Sequence, residues 1–284
     1  MRKFAFIFIL LLCMPFSGCE KEIATEPYVS VMKQMPMPPF YIKEELESKI
    51  RDITEKSSCD WSVFVEIPNR DFKVVINDKT VRSASVIKMF NMATLYNEEK
   101  NGNIEITDKL LGTCYKMITV SSNEDSNKVV KAIGNGDFDL GAKKVTEFAN
   151  SIGCVSTLEQ HPLYDVSGPG HGINTTSVSD CGNFLKKLYK KELVSPEADN
   201  KMLEILKKQE INHKLPSKLP EDVTVAHKTG ENSRVELDVG IVYSPACDYI
   251  ICISVTNFRG ENIQKTFGEI SKTVYNFFNT KTIV

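Results

Sequence analysis

The chain has 284 residues, 42% of them hydrophobic, with 35 basic against 37 acidic side chains and a formal net charge of -2. That much apolar chain can bury one large core, or two lobes around a cleft. The balanced charge excludes the basic footprint of a nucleic-acid-binding protein.

The N-terminus reads as a targeting segment. Arg2 and Lys3 precede an apolar run, Phe4 to Leu12, too short to cross a bilayer as a helix. The run leads into Phe16-Ser17-Gly18-Cys19, which resembles a bacterial lipoprotein lipobox. The resemblance implies a signal peptide over residues 1–18, cleavage before Cys19, lipid on its thiol, and an extracytoplasmic protein anchored to the membrane. An ordinary signal peptide with an incidental cysteine is the alternative. Residues 19–40, with Pro27, Pro36, Pro38 and Pro39 and no periodicity, read as a linker.

The folded domain is expected over residues 41–284. Ile42, Leu46, Ile50 and Ile53 recur at helical intervals and predict a first amphipathic helix. Trp61 to Ile67 alternates as a strand, with Lys73 to Ile76 as its hairpin partner. A mostly helical segment follows, from about Ser85 to Leu219. Within it, Lys186 to Lys191 reads as the solvated face of a helix, since Phe184, Leu185, Leu188 and Tyr189 keep helical spacing. Val223 to Ala226, Leu237 to Tyr243 and Tyr249 to Val255 read as three further strands. Ile263, Phe267, Ile270, Val274 and Phe277 mark a C-terminal helix. This order predicts an α/β (α+β) fold: a five-stranded antiparallel sheet flanked by terminal helices, facing an inserted helical lobe across a cleft.

The cysteines beyond Cys19 (Cys59, Cys114, Cys154, Cys181, Cys247, Cys252) show no CxxC or framework spacing, and Cys252 reads as a buried thiol. His161, His171, His213 and His227 lack metal-ligand spacing, so neither metal nor cofactor is expected.

Three short motifs carry the chemistry. Ser85-Val86-Ile87-Lys88 places a serine and a lysine on one helix face, a turn apart. A neutral lysine amine there takes the hydroxyl proton and makes the serine a nucleophile, while the helix start favours developing negative charge. A second such spacing, Ser30 to Lys33, falls in the linker, where nothing holds a nucleophile against its base. Ser121-Ser122-Asn123 offers a hydroxyl for proton relay and an amide that both donates and accepts; alone it reads as an ordinary helix-cap cluster. Lys228-Thr229-Gly230, expected at the end of a strand, presents a charge and a hydroxyl to a carboxylate. Gly230 allows close approach, and the Glu231 amide is a candidate oxyanion donor.

The ordered set Ser-x-x-Lys, Ser-x-Asn, Lys-Thr-Gly resembles the penicillin-recognising serine hydrolases, in particular the class A β-lactamases. Met117-Ile118-Thr119-Val120 before the second motif and Asn174-Thr175-Thr176-Ser177 further on support the likeness. The resemblance implies the family's fold and assigns roles. Ser85 is acylated, Lys88 is its base partner, and Ser121 passes the proton. Asn123 binds the substrate amide, and Lys228 and Thr229 bind its carboxylate.

The chain also departs from the family pattern. Ser122 stands where an aspartate is usual, and the short gap from Ser85 to Ser121 implies a trimmed helical lobe. The loop Thr157 to Asp165 lacks the usual glutamate before its proline, since His161 precedes Pro162. Glu159, His161 and Asp165 are therefore the candidates for a deacylating base, the alternative being solvated loop side chains. Three functions stay open: a β-lactamase with slow deacylation, a D,D-peptidase acting on D-Ala-D-Ala cell-wall peptides, or a β-lactam or muropeptide sensor. The expected partners are a small-molecule substrate and the membrane, with the protein a monomer and no nucleic acid bound.

Overall fold

Alternation along the strands builds the centre of the molecule. The structure, a computed structural model, describes residues 39–163, 173–260 and 262–280. The signal peptide, Cys19, almost all of the linker and Asp165 lie outside the described residues.

Helix α1 (Pro39–Thr54) leads into β1 (Asp60–Ile67) and β2 (Phe72–Ile76). On β1, Trp61, Val63 and Val65 pack on one side of the sheet while Phe64 packs on the other. The same two-sided burial marks β5 (Thr224–Asn232), β6 (Val235–Tyr243) and β7 (Tyr249–Thr256). Strands with both faces buried read as near-continuous apolar runs rather than as a clean alternation, which explains Ile250 to Val255. The sheet order is β2-β1-β7-β6-β5, antiparallel throughout.

One side of the sheet is covered by α1 and by α8 (Ile263–Thr280), through Leu46, Ile50, Phe267, Val274 and Phe278. The other is covered by the helical lobe: α2 (Ile87–Lys100), α3 (Asp108–Thr119), α4 (Asn123–Ile133), α5 (Phe138–Ser151), α6 (Val178–Lys190) and α7 (Pro196–Leu206). Helix α6 lies hard against β1, since a Cβ on Gly182 would fall 2.3 Å from the Phe64 ring. A two-stranded ribbon, β3 (Val81–Arg82) with β4 (Thr175–Thr176), ties the start of the lobe to its middle. These strands are too short to leave a sequence pattern.

Two expectations change. Strand β5 does not stop at His227 but runs through Lys228-Thr229-Gly230 to Asn232, because the pairing with β6 continues to Val235. Lys228 is consequently not turned outward; it is fully buried. Among the described residues Cys114, Cys154, Cys181, Cys247 and Cys252 are free thiols, and Cys252 is buried. Among the described residues no helix is long and apolar enough to cross a membrane.

Candidate active site

The chain enters the site through strained backbone. Ala84 takes φ +44°, which swings the chain from β3 into a 3-10 turn, Ala84–Val86, and sets Ser85 in that turn, two residues before α2. Ser121, between α3 and α4, takes φ +58°. A left-handed conformation away from glycine costs about 1 kcal/mol and persists where the surroundings impose it.

Helix α2 is apolar on nearly every side, with Ile87, Met89, Phe90, Met92, Ala93 and Leu95 all buried. Such a helix sits inside the protein rather than on it, and it carries Lys88 in with it, to 0% exposure. Four oxygens receive the amine. Lys88 Nζ lies 2.9 Å from Ser85 Oγ, 2.6 Å from the Ser121 carbonyl, 3.1 Å from Ser121 Oγ and 2.5 Å from Asn123 Oδ1. No carboxylate touches it among the described residues. Burial therefore lowers Lys88 to about 7, against a smaller opposing pull from Glu159.

The hydrogens can be counted. The Ser121 carbonyl and the Asn123 amide oxygen are acceptors only, so they take the two hydrogens of a neutral amine. The lone pair is then left for the hydroxyls of Ser85 and Ser121. A serine proton can pass to the amine and on to a second hydroxyl without any side chain changing place.

On β5 the period of two fixes the third motif. Ala226 packs into the helical lobe, so Lys228 and Gly230 face the same way. Lys228 Nζ donates to Ser121 Oγ at 2.9 Å and to the Thr229 carbonyl at 2.9 Å. A Cβ on Gly230 would meet Val86 Cγ2 at 3.1 Å. Ser85, Lys88, Ser121, Asn123, Lys228 and Gly230 thus share one place, drawn from a 3-10 turn, three helix ends or interiors, and an edge strand.

Thr229 and Glu231 point to the other side of the sheet. The Glu231 carboxylate is held by the buried Lys214 at 2.7 Å and by His213 at 2.9 Å. Lys214 above all, with the hydrogen bond to His213, keeps it below the usual carboxylate range despite partial burial. Lys214 also pairs with Glu236 at 3.0 Å. Behind them the buried His227 bonds Asp238 at 2.8 Å, and Asp238 accepts from the Leu215 amide at 2.9 Å. Ser122 is the N-cap of α4, its hydroxyl accepting from the Asp125 amide at 3.2 Å. Capping is a structural duty, as befits the position where the family's aspartate is missing.

The three loop candidates separate. Glu159 is 3% exposed; its Oε1 accepts from Asn174 at 3.3 Å, and Asn91, one turn beyond Lys88 on α2, stands beside it. Burial lifts this carboxyl to about 8, against the opposing pulls of Asn91, Lys88 and Asn174. His161 turns its ring back on its own segment, Nδ1 lying 2.8 Å from the Pro162 carbonyl. Asp165 is outside the described residues.

The sequence reading missed the residues that hold this loop. Asn127, one turn after Asn123 on α4, donates to the Leu163 carbonyl at 2.8 Å and accepts from the Leu163 amide at 2.9 Å. Asn174 accepts from the backbone amides of Gln160 and His161. The spacing of Asn123 and Asn127 on one helix face was the available signal.

The Beta-lactamase enzyme family matches this sequence over residues 109–278, more than half of the chain. The chain belongs to that family. Its fold is shared with solved structures. PBP-A is 22% identical, with a TM-score of 0.73 over 83% of this chain and 96% of its own. TLA-1 extended-spectrum β-lactamase is 19% identical, with a TM-score of 0.74 over 83% and 98%. A β-lactamase from Sphaerobacter thermophilus is 17% identical, with a TM-score of 0.74 over 84% and 99%. A mutant of PBP-A, 20% identical, has been captured as its acyl-enzyme with penicillin G, at a TM-score of 0.73 over 87% and 98%. At these identities the likeness speaks for the fold. No curated protein sequence matches significantly.

Proposed function

We propose that this member of the family opens β-lactam rings through an acyl-enzyme on Ser85. Lys88, as the neutral amine, takes the Ser85 proton; Oγ attacks the lactam carbonyl carbon; the ring C–N bond breaks; and Ser121 delivers a proton to the departing nitrogen. Asn123 receives the acyl amide and Lys228 the carboxylate; Thr229, which faces the other side of the sheet and is buried, drops out of the carboxylate site that the resemblance implied. The Ser85 amide, under Gly230, and the Glu231 amide serve the carbonyl oxygen as charge develops on it. The observation that carries this reading is the single amine of Lys88 bonded to both serine hydroxyls, at 2.9 and 3.1 Å. Positioned proton transfer of this kind contributes about 10²–10⁴-fold. In the same reading Cys19 is lipidated, tethering the protein to the membrane outside the cytoplasm.

A second reading, a penicillin-binding D,D-peptidase, is favoured by the loop. Asn127 holds Leu163, an apolar residue, and no carboxylate hydrogen-bonds Ser85, Lys88 or Ser121 among the described residues. Glu159 is then the remaining described acid for water activation, and its burial limits water's access to it.

The test is an intact-mass time course of the full chain with penicillin G, beside Ser85→Ala. An adduct that forms and decays in minutes supports a β-lactamase; one that lasts hours supports the peptidase reading. No adduct on the wild type refutes both.

A further inference from the structure

Lys88 and Lys228 are both fully buried, and both reach one oxygen, Ser121 Oγ, at 3.1 and 2.9 Å. Neither has a carboxylate within ion-pair distance among the described residues. Lys228 has two acceptors, Ser121 Oγ and the Thr229 carbonyl, which match the two hydrogens of a neutral amine. If both lysines were ammonium ions, Ser121 Oγ would accept from each and its own proton would find no acceptor inside this cluster. The neutral amine of Lys88 gives that proton a partner, while Lys228, buried with two acceptors and no counter-ion, has nowhere to place a third ammonium hydrogen inside the cluster.

Building on the assignment of Lys228 to the substrate carboxylate, we infer that the site takes up its anionic ligand together with one proton, which comes from solvent and settles on Lys228. Burial without an ion-pair partner disfavours the charge on Lys228, and the incoming carboxylate supplies the counter-ion that the described residues do not. The groups facing Lys228 agree. Burial above all holds it well below its ordinary value, the amines of Lys88 and Lys214 adding to this where they are charged, while Asp238 across on β6 and Glu231 on its own strand pull the other way. The carboxylate of the ligand raises it. By linkage, affinity is constant where Lys228 is already charged in the free protein, and falls as pH climbs from the free-state value towards that of the complex.

The measurement is calorimetric. The full chain carrying Ser85→Ala binds penicillin G without reacting, and its binding heat is compared in phosphate and Tris buffers at about pH 8, where a neutral amine has a proton to gain. The inference expects a heat that depends on the buffer's own ionisation heat, with a slope approaching one proton taken up per ligand. Buffer-independent heats would overturn it. The double variant Ser85→Ala, Lys228→Arg locates the proton: a guanidinium does not titrate, so the buffer dependence must vanish. If it persists, the proton goes to another group of the site, Lys88 or Glu159, and the assignment is wrong. A kinetic arm covers a variant that binds too weakly for heats. Wild-type KM must rise with pH more steeply than kcat changes, and Lys228→Arg must flatten that rise; parallel profiles would count against the inference. Ser85 labelling by penicillin is read separately, so a failure of the proposed function cannot be mistaken for a failure of proton uptake.

Discussion

A Cβ placed on Gly230 would lie 3.2 Å from the Ser85 amide nitrogen and 3.1 Å from the Ser83 carbonyl oxygen, so the edge strand and the nucleophile turn meet backbone to backbone. Gly230→Ala forces those neighbours to move by a few tenths of an ångström. The fold, held by the sheet, survives that shift, but the alignment of Ser85 does not. Acylation by penicillin G is expected to slow by about tenfold, with a melting temperature close to wild type. An unchanged acylation rate would show that the turn yields freely.

Acylation depends on a neutral Lys88. With the amine held near about 7, its basic form grows as pH rises through that value. The acylation rate of Ser85 should climb between about pH 6 and 8 and then level off. Lys88→Arg keeps the bulk but cannot give up its proton at these pH values, and it should lose the reaction almost entirely.

Glu159 places a cost on the fold. Its folded value of about 8 stands above the ordinary 4.5, so the native state binds the proton more tightly than the unfolded chain does. The stability it contributes is full below about pH 4.5 and is lost as pH rises towards 8. Glu159→Gln removes that loss. The variant's melting temperature should exceed the wild type's by several degrees near pH 8 and converge with it near pH 5. The reverse trend would mean that the carboxylate is paired.

Much of this architecture was legible because burial leaves a signature. The strands of β1 and β7 carry long runs of β-branched and aromatic residues, and α8 keeps its stripe from Ile263 to Phe277, so both read correctly. Strand β5 was cut short because Lys228-Thr229-Gly230 breaks the apolar pattern at the point where the site needs polar groups, although β6 goes on pairing with it. Ser85, Lys88, Ser121 and Lys228 could be singled out because their chemistry is rare in combination, and the structure brings them together. Asn127 and Asn174 were not, since what they hold is backbone from a loop distant in sequence, and backbone has no letter code.

Lys214 separates two acids. It is buried at 0% side-chain exposure between Glu231 and Glu236. Lys214→Met leaves those carboxylates without their shared cation. The loss should be about 2 kcal/mol in urea unfolding, less than for a wholly buried pair because Glu231 keeps 41% exposure. Adding Glu236→Gln should recover part of it. A single variant as stable as wild type would show that solvent already screens the cluster.

The last of the described strands in chain order, β7, is the middle strand of the sheet, with β1 on one side and β6 on the other. Until it arrives, β1–β2 and β5–β6 are two hairpins with no shared edge. Ser85 follows the first of them and Lys228 belongs to the second. A nascent or truncated chain ending before Tyr249 therefore holds every residue of the three motifs and no active site. Joining partners so far apart in sequence makes this a slow-folding topology, in which the site assembles only once β7 has joined the two hairpins.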